Sequence, residues 1–373
     1  MFRIVIRSIL LFLFVVNSLK SSSTDRIDSV LAVRQYRINA TFMVGFLAAH
    51  HAKMQVMMQR SILAGELDLG YKTNGKNNWE CFYNYPEYGF AILYYDLGSP
   101  EYLGQSLGIQ PYLSFPLLSS RQWGNLYFKA GVGVAYVSKK WDQYTNYKNT
   151  GIGSHINAGA KFELGASVKL SSSWYLNGGV SFSHISNGST NNPNSGINMP
   201  SVNIGTTYAF GEKNYLIPYS TISFRKKLEY QLFISGSYKD IFPEGTGHYP
   251  VVSLSNYFYK PLKEHTGINF SWDIMYDESH WKLLQIERDS VSKLQLVKTG
   301  LALGYQFNFD RVALVFQMGY YIYTYYKSAG LFYQRLGLQY EFIPKVYFRV
   351  ALRTSWSNAD CIEFGFGYNF AKK

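Results

Sequence analysis

WYLNGGVSFSHIS, residues 174–186, alternates apolar side chains with small or polar ones. Because successive side chains of a β-strand point to opposite faces, Val180 and Phe182 share one face. His184 and Ser186 continue that row at the end of the run. This alternation is typical of a transmembrane β-barrel strand, whose outer face meets lipid.

The returning strand, residues 202–210, alternates in the same way (VNIGTTYAF). Its parity, carried back through Pro200, places Asn198 on the face that carries His184 and Ser186. A serine hydroxyl becomes a nucleophile when a neighbouring base takes its proton and a third group holds that base in the right tautomer. The sequence therefore predicts that these three residues face lipid together and act as a catalytic group. The competing interpretation is that His184 and Ser186 are only rim residues.

The segment 184–198 carries a longer motif around these positions. It combines His184-x-Ser186-Asn187, Pro193-Asn194-x-Gly196 and a polar residue at position 198. This motif resembles, without a gap, the active-site segment of the PagL-type lipid A 3-O-deacylases, and the resemblance is clearest over about residues 30–212. Members of that family are outer-membrane β-barrels whose Ser-His-Glu triad removes the 3-O-linked acyl chain from lipid A.

The resemblance implies a role for each motif residue. Ser186 would be the nucleophile and His184 its base, with Asn187 and Asn194 as candidates for stabilising the oxyanion, which requires donors placed where negative charge develops. Asn198 stands where the family usually has Glu. An Asn can orient an imidazole but cannot offset its charge, so the resemblance implies a Ser-His-Asn-like variant triad.

The two ends of the chain predict export to the outer membrane. Residues 1–23 contain Arg3 and Arg7, a short apolar run and a Ser-rich stretch, the layout of a secretory signal peptide. The run is too short to span a bilayer as a helix. Near the other end, residues 364–370 (FGFGYNF) resemble the aromatic last strand of outer-membrane proteins.

Alternating runs continue along the whole chain and predict an all-β protein, an antiparallel transmembrane β-barrel. Residues 24–212 carry the PagL-like motif, and residues 213–373 form a second barrel half. A weak alignment of residues 353–358 with 182–187, with Ser355 in place of the histidine, suggests a degenerate duplicate. We expect one barrel of about 14–16 strands, with two tandem 8-stranded barrels as the alternative.

Composition and charge limit the classes of partner that the chain is expected to bind. The formal net charge is +12, but no nucleic-acid-binding module accompanies it. Lipopolysaccharide phosphates are one counter-charge, and lysines that merely solubilise loops are the blander explanation. His50 and His51 follow the first predicted strand, where they could contact lipid A phosphates or lie near the active site, although we expect rim residues without a function. No metal or cofactor is expected, because the histidines lack zinc-ligand spacing.

Together these features predict an outer-membrane serine esterase that removes an ester-linked 3-hydroxyacyl chain from the lipid A of lipopolysaccharide. One alternative is a catalytically silent barrel that acts as a pore or a lipid-binding scaffold. Another is a soluble β protein of the periplasm. The sequence leaves the oligomeric state open.

Overall fold

A computed structural model describes residues 32–118, 124–219, 227–242, 247–287, 291–327, 330–356 and 358–371. The predicted signal peptide, residues 1–23, lies outside the described residues. The chain divides into two compact units. One unit is Met1–Asn187 with Pro193–Ser220, and the other is Gly188–Asn192 with Thr221–Lys373.

The first unit is a closed antiparallel barrel of eight strands. The strands are β1 Ala32–Gly45, β2 Ile62–Lys72, β3 Glu87–Ser99, β4 Gly104–Pro116, β5 Gly124–Val137, β6 Ile156–Lys169, β7 Trp174–Ser186 and β8 Ile197–Tyr215. Each strand pairs with the next, and β1 pairs with β8 to close the barrel, with Phe42 opposite Ile204. This closure leaves no unpaired sheet edge.

The second unit is also a closed antiparallel barrel of eight strands. The strands are β9 Glu229–Asp240, β10 His248–Lys263, β11 Thr266–Asp277, β12 Val297–Phe309, β13 Val312–Tyr323, β14 Phe332–Ile343, β15 Val346–Ser355 and β16 Asn358–Asn369. Pairing of β16 with β9, for example Phe366 with Ile234, closes it.

The prediction of an all-β, antiparallel barrel protein is confirmed, but the expected single barrel of about 14–16 strands is wrong, and the alternative of two 8-stranded barrels is the one observed. The physical reason is that β8 pairs back to β1 instead of pairing onward to β9.

The suggested duplication stays a prediction. Its alignment places Arg353 beside Phe182. Phe182 is 41% exposed on the outer wall of its barrel, whereas Arg353 is 0% exposed. The alignment therefore pairs residues from opposite faces of their strands, although both units have the same number of strands.

Side chains alternate across the barrel walls as the period of two requires. On β2, Leu67 and Leu69 are exposed on the outside, while Glu66 and Asp68 are buried on the inside. Transmembrane barrels have this apolar exterior and polar interior. The outer surface is thus suited to contact lipid.

Ion pairs fill the interior of the first barrel. Lys129 contacts Glu66 and Asp68, and Lys161 contacts Glu66 and Glu163, with 2.6 Å between Lys161 Nζ and Glu163 Oε2. All five side chains are buried. A buried charge is costly unless it is paired, so each member depends on the others.

The second barrel encloses a comparable network. Arg335 donates to Asp273 at 2.9 Å and to Glu363 at 2.8 Å, and Arg353 donates to Glu363 at 2.8 Å. These charges are buried as well. Both interiors are thus packed with polar side chains.

Helices occur only in connections within the described part of the chain. They are α1 Asn78–Phe82, α2 Ser279–Glu287 and the 3-10 helices Ala52–Met57 and Lys293–Leu296. None of the described helices has the length and apolar character needed to cross a membrane. Helix α1 lies in the long connection between β2 and β3, at the end of the barrel opposite Ser186.

Substitution Lys161→Met is expected to destabilise the first barrel, because Glu66 and Glu163 would keep buried negative charge with fewer partners. The free energy of unfolding should fall by about 3–5 kcal/mol. Urea unfolding in detergent micelles, followed by tryptophan fluorescence, measures it. Lys169→Met, at the exposed end of the same strand, is the control. Equal stability of the two variants would contradict a role for the ion network.

Candidate active site

Strands β7 and β8 bring His184 and Asn198 together. The two residues are directly opposite each other in the antiparallel ladder. Side chains in such a pair have Cβ atoms about 4.5–5.5 Å apart and point to the same side of the sheet. Ser186 lies two positions beyond His184 on β7 and therefore shares its face.

Hydrogen bonds connect the three side chains in a line. The distance from His184 Nε2 to Ser186 Oγ is 2.9 Å, and that from His184 Nδ1 to Asn198 Oδ1 is 2.7 Å. With Nδ1 protonated and donating to the amide oxygen, Nε2 has a lone pair that accepts the serine proton. This is the tautomer that a general base needs.

All three residues lie on the outer side of the barrel wall, where Ser186 and Asn198 are buried and His184 is half-buried. Val180 and Phe182, of the same parity on β7, are exposed, whereas Ser186 and Asn198 are only 8% and 4% exposed. The prediction of a shared outer face agrees with this geometry. The prediction that all three side chains face lipid does not agree with it, because Ser186 and Asn198 are buried.

His50 is the neighbour that extends the line. Its Nδ1 lies 3.2 Å from Asn198 Nδ2. Two backbone hydrogen bonds hold the preceding segment against β8, from Phe46 N to Pro200 O at 3.3 Å and from Ala48 N to Asn198 O at 2.9 Å. We expected His50 to be a rim residue without a function, but its ring contacts Asn198 of the candidate group.

The two candidate oxyanion residues contact each other. Asn187 N donates to Asn194 Oδ1 at 3.0 Å, and Asn187 Nδ2 donates to Ser154 Oγ at 2.9 Å. Because the Asn194 oxygen is held in this way, its Nδ2 is the atom of that amide that can donate elsewhere. The loop between β5 and β6, through Ser154, thus supports the motif.

Gly196 fits against the ring of His184. Its φ is +79°, and a Cβ built there would lie 2.6 Å from His184 Cε1. Its backbone N–H donates to Gly151 O at 2.9 Å, and Ser195 N donates to Thr150 O at 3.2 Å. Any side chain at position 196 would press on the imidazole.

The segment Gly188–Asn192, inside the motif, belongs to the second compact unit. Gly188 and Ser189 both have positive φ angles, +64° and +67°. Ser189 Oγ donates to Ala359 O at 2.6 Å, and Asn192 N donates to Asp240 Oδ2 at 2.9 Å. These bonds fix the segment within its unit.

The sequence offered a position near the active site for His50 only as the less favoured alternative, and it did not indicate the contacts of Ser154 and Gly196. The positive φ of Gly196 has a sequence signal, because glycine after Asn-Ser is a usual place for left-handed backbone. The contacts of His50 and Ser154 have none, since they depend on which distant strands pair.

The arrangement is suited to activating an alcohol for attack on a carbonyl. Within the described ranges, no three or more His, Cys, Asp or Glu side chains form a group that could hold a metal ion.

Comparison with known families agrees with the motif. Residues 64–207 match the family model "Lipid A 3-O-deacylase (PagL)", and residues 228–373 match "Acyloxyacyl hydrolase, C-terminal domain". The PagL match thus lies within the first barrel, and the second barrel carries the match to the acyloxyacyl hydrolase C-terminal domain. The PagL resemblance predicted from the sequence is confirmed, because the first barrel carries a match to the lipid A 3-O-deacylase family.

Two solved structures are similar to parts of this chain. Neisserial surface protein A is 11% identical, with a TM-score of 0.34, and the match covers 47% of this chain and 97% of that one. The outer membrane enzyme PagL is 20% identical, with a TM-score of 0.30, and the match covers 45% of this chain and 97% of that one. A search of curated proteins found no match.

Substitution Gly196→Ala is expected to displace His184 from Ser186, because the new methyl group meets the ring and the φ angle is strained. A displacement of about 1 Å can lower activity roughly 100-fold. Lipid A deacylation rates measure the effect. The matched control is Gly178→Ala on β7, where an added Cβ meets only Asn203 O, at 3.7 Å. If the two variants were equally active, Gly196 would not be needed for the ring position.

Proposed function

We propose that this protein is a serine esterase that removes an ester-linked 3-hydroxyacyl chain from lipid A, with Ser186, His184 and Asn198 as its catalytic group. The observation that carries the proposal is the 2.9 Å contact between His184 Nε2 and Ser186 Oγ, made by a histidine whose other nitrogen is anchored on Asn198. Nucleophile, base and orienting group are thus in the order that acyl transfer requires.

The reaction proceeds by two acyl transfers. His184 Nε2 takes the hydroxyl proton of Ser186 while Oγ attacks the ester carbonyl. The tetrahedral intermediate collapses, the ester C–O bond breaks, and His184 returns the proton to the departing alcohol oxygen of lipid A. Water, deprotonated by the same imidazole, then hydrolyses the acyl-serine and releases a 3-hydroxy fatty acid.

In this proposal the two motif asparagines have different tasks. Asn194 Nδ2 donates to the oxyanion, where a fixed donor is most effective. Asn187 holds the amide of Asn194 through its backbone N–H. The contact of Asn187 with Ser154 in turn fixes the side chain of Asn187.

An open apolar depression on the lipid-facing wall is compatible with a fatty acyl chain. It lies on the outer wall of the first barrel, has a volume of about 670 Å³, and is lined by small residues such as Ala40 and Gly65 beside Phe42 and Ile204. Ile204 is six residues from Asn198 on the same face of β8, roughly 20 Å along the strand at about 3.3 Å per residue. Val202, 60% exposed, lies between them.

Location and domain roles follow from this function. We propose that residues 1–23 direct export, that the catalytic end of residues 24–212 meets the external leaflet, and that residues 213–373 form a second, non-catalytic barrel. The packed interior of the first barrel, with buried Lys129 and Lys161, disfavours a pore.

The direct test is to incubate the purified protein in detergent with lipopolysaccharide and to analyse lipid A by mass spectrometry. We expect lost mass equal to one 3-hydroxyacyl chain and release of the matching fatty acid. Ser186→Ala should abolish both, because it removes the nucleophile. Ser181→Ala, on the inner face of the same strand, should be fully active. Activity retained by Ser186→Ala would exclude the proposed mechanism.

Substitution Asn198→Asp tests the amide at the third position. A carboxylate of the same size can accept from His184 Nδ1 and also stabilise the imidazolium that forms, so kcat should rise by about tenfold. Steady-state rates on lipid A at neutral pH measure the change. A large fall in kcat would show that the site is built around the neutral amide.

A further inference from the structure

The amide of Asn198 can face His184 in two orientations that are not equivalent, which is not the case for a carboxylate. The two oxygens of a carboxylate are equivalent, whereas the two ends of an amide are an acceptor and a donor. His184 is a base at Nε2 only while Nδ1 donates to Asn198 Oδ1. If the amide turned by 180°, Nδ2 would face His184, Nδ1 would have to accept, and Nε2 would carry the proton.

Among the described residues, the side chain of His50 favours one orientation of the Asn198 amide. Asn198 Nδ2 lies 3.2 Å from His50 Nδ1, while Asn198 Oδ1 lies 2.7 Å from His184 Nδ1. A neutral imidazole with its proton on Nε2 has a lone pair on Nδ1 that accepts from Nδ2. Every hydrogen bond from Ser186 through His184 and Asn198 to His50 then runs in one direction.

We propose that His50 is a positioning residue that holds the Asn198 amide in the one orientation that makes His184 a base towards Ser186. This inference rests on the proposed esterase function. Position 198 carries an amide in place of a carboxylate, so one end of it has to be fixed towards His184. His50 does this by accepting from the other end. Its hydrogen bond within the candidate site is to Asn198, through which it orients His184.

The proposal includes a pH dependence. Protonated His50 has donors on both ring nitrogens, so it would attract Asn198 Oδ1 and turn the amide to the unproductive orientation. The titratable groups that face His50 are His51, with ring centroids 4.6 Å apart, and His184. Burial, and then the charge of His51, lower the pKa of His50 below its ordinary value, while hydrogen bonds to the backbone of Ala48 and Ser195 oppose the shift.

The direction of the pH dependence is set by the protonation state of His50 that activity requires. Activity needs neutral His50, so this contribution is complete above the pKa of His50 and is lost as the pH falls through it. Protonation of His184 itself also removes activity on the acid side. Wild-type log kcat should therefore fall with a limiting slope of about two, and a variant with no titrating group at position 50 should fall with a slope of about one.

Four variants of the full chain separate positioning from folding. His50→Leu removes the acceptor, and His50→Asn places an acceptor oxygen, which does not titrate, near the position of Nδ1. His51→Leu is the matched control at the exposed neighbouring histidine. Asn198→Asp provides a background in which amide direction has no meaning.

We expect His50→Leu to lower kcat on lipid A by about tenfold at neutral pH, the size of one lost hydrogen bond. His50→Asn should restore kcat and show the shallower acid limb, and His51→Leu should leave neutral kcat unchanged. In the Asn198→Asp background, His50→Leu should cost less than twofold. Wild-type kcat in His50→Leu, or an equal loss in both backgrounds, would overturn the proposal.

A second readout does not depend on turnover. Long-range nitrogen-proton NMR of histidine-labelled protein in micelles reports which ring nitrogen of His184 carries the proton. The wild type should show Nδ1–H, and His50→Leu should show a mixture of both tautomers. An inactive wild type with this shift would overturn the esterase function but support the positioning role. An active wild type with no shift in His50→Leu would overturn only the positioning role.

Discussion

Pairing of β1 with β8 is the constraint on which the first barrel and its candidate site depend. It closes the wall, so that the outer face of β8 has a neighbour on each side. One neighbour, β7, brings His184 to Asn198. The chain that continues from β1 brings His50 to the other end of the same amide. The candidate site is thus assembled from both sides of one strand.

Local periodicity explains why much of this could be predicted. Strand alternation has a period of two, so the common face of His184 and Ser186 could be read from WYLNGGVSFSHIS alone. Asn198 could be added because β7 and β8 are consecutive strands, joined only by residues 187–196. Consecutive antiparallel strands usually pair, so such contacts need little knowledge of the rest of the fold.

Other features depended on long-range pairing and could not be predicted. The choice between one barrel and two is decided by whether β8 pairs with β1 or with β9, and both have the same alternating pattern. His50 and Asn198 are far apart in sequence and meet only after closure. The direction of the Asn198 amide is equally hidden, because the letter N does not distinguish its oxygen from its nitrogen.

The order of the chain differs from the order of its compact units. Residues 188–192 lie between Asn187 and Pro193 of the first unit, yet they count with the second, where Ala359 and Asp240 bind them. A gene fusion that transfers residues 221–373 alone would leave those two partners without the groups they contact. The backbone passes from one unit to the other before these residues, after them, and again at the later connection. A transfer of the second unit that keeps these contacts therefore has to include residues 188–192 as well as 221–373.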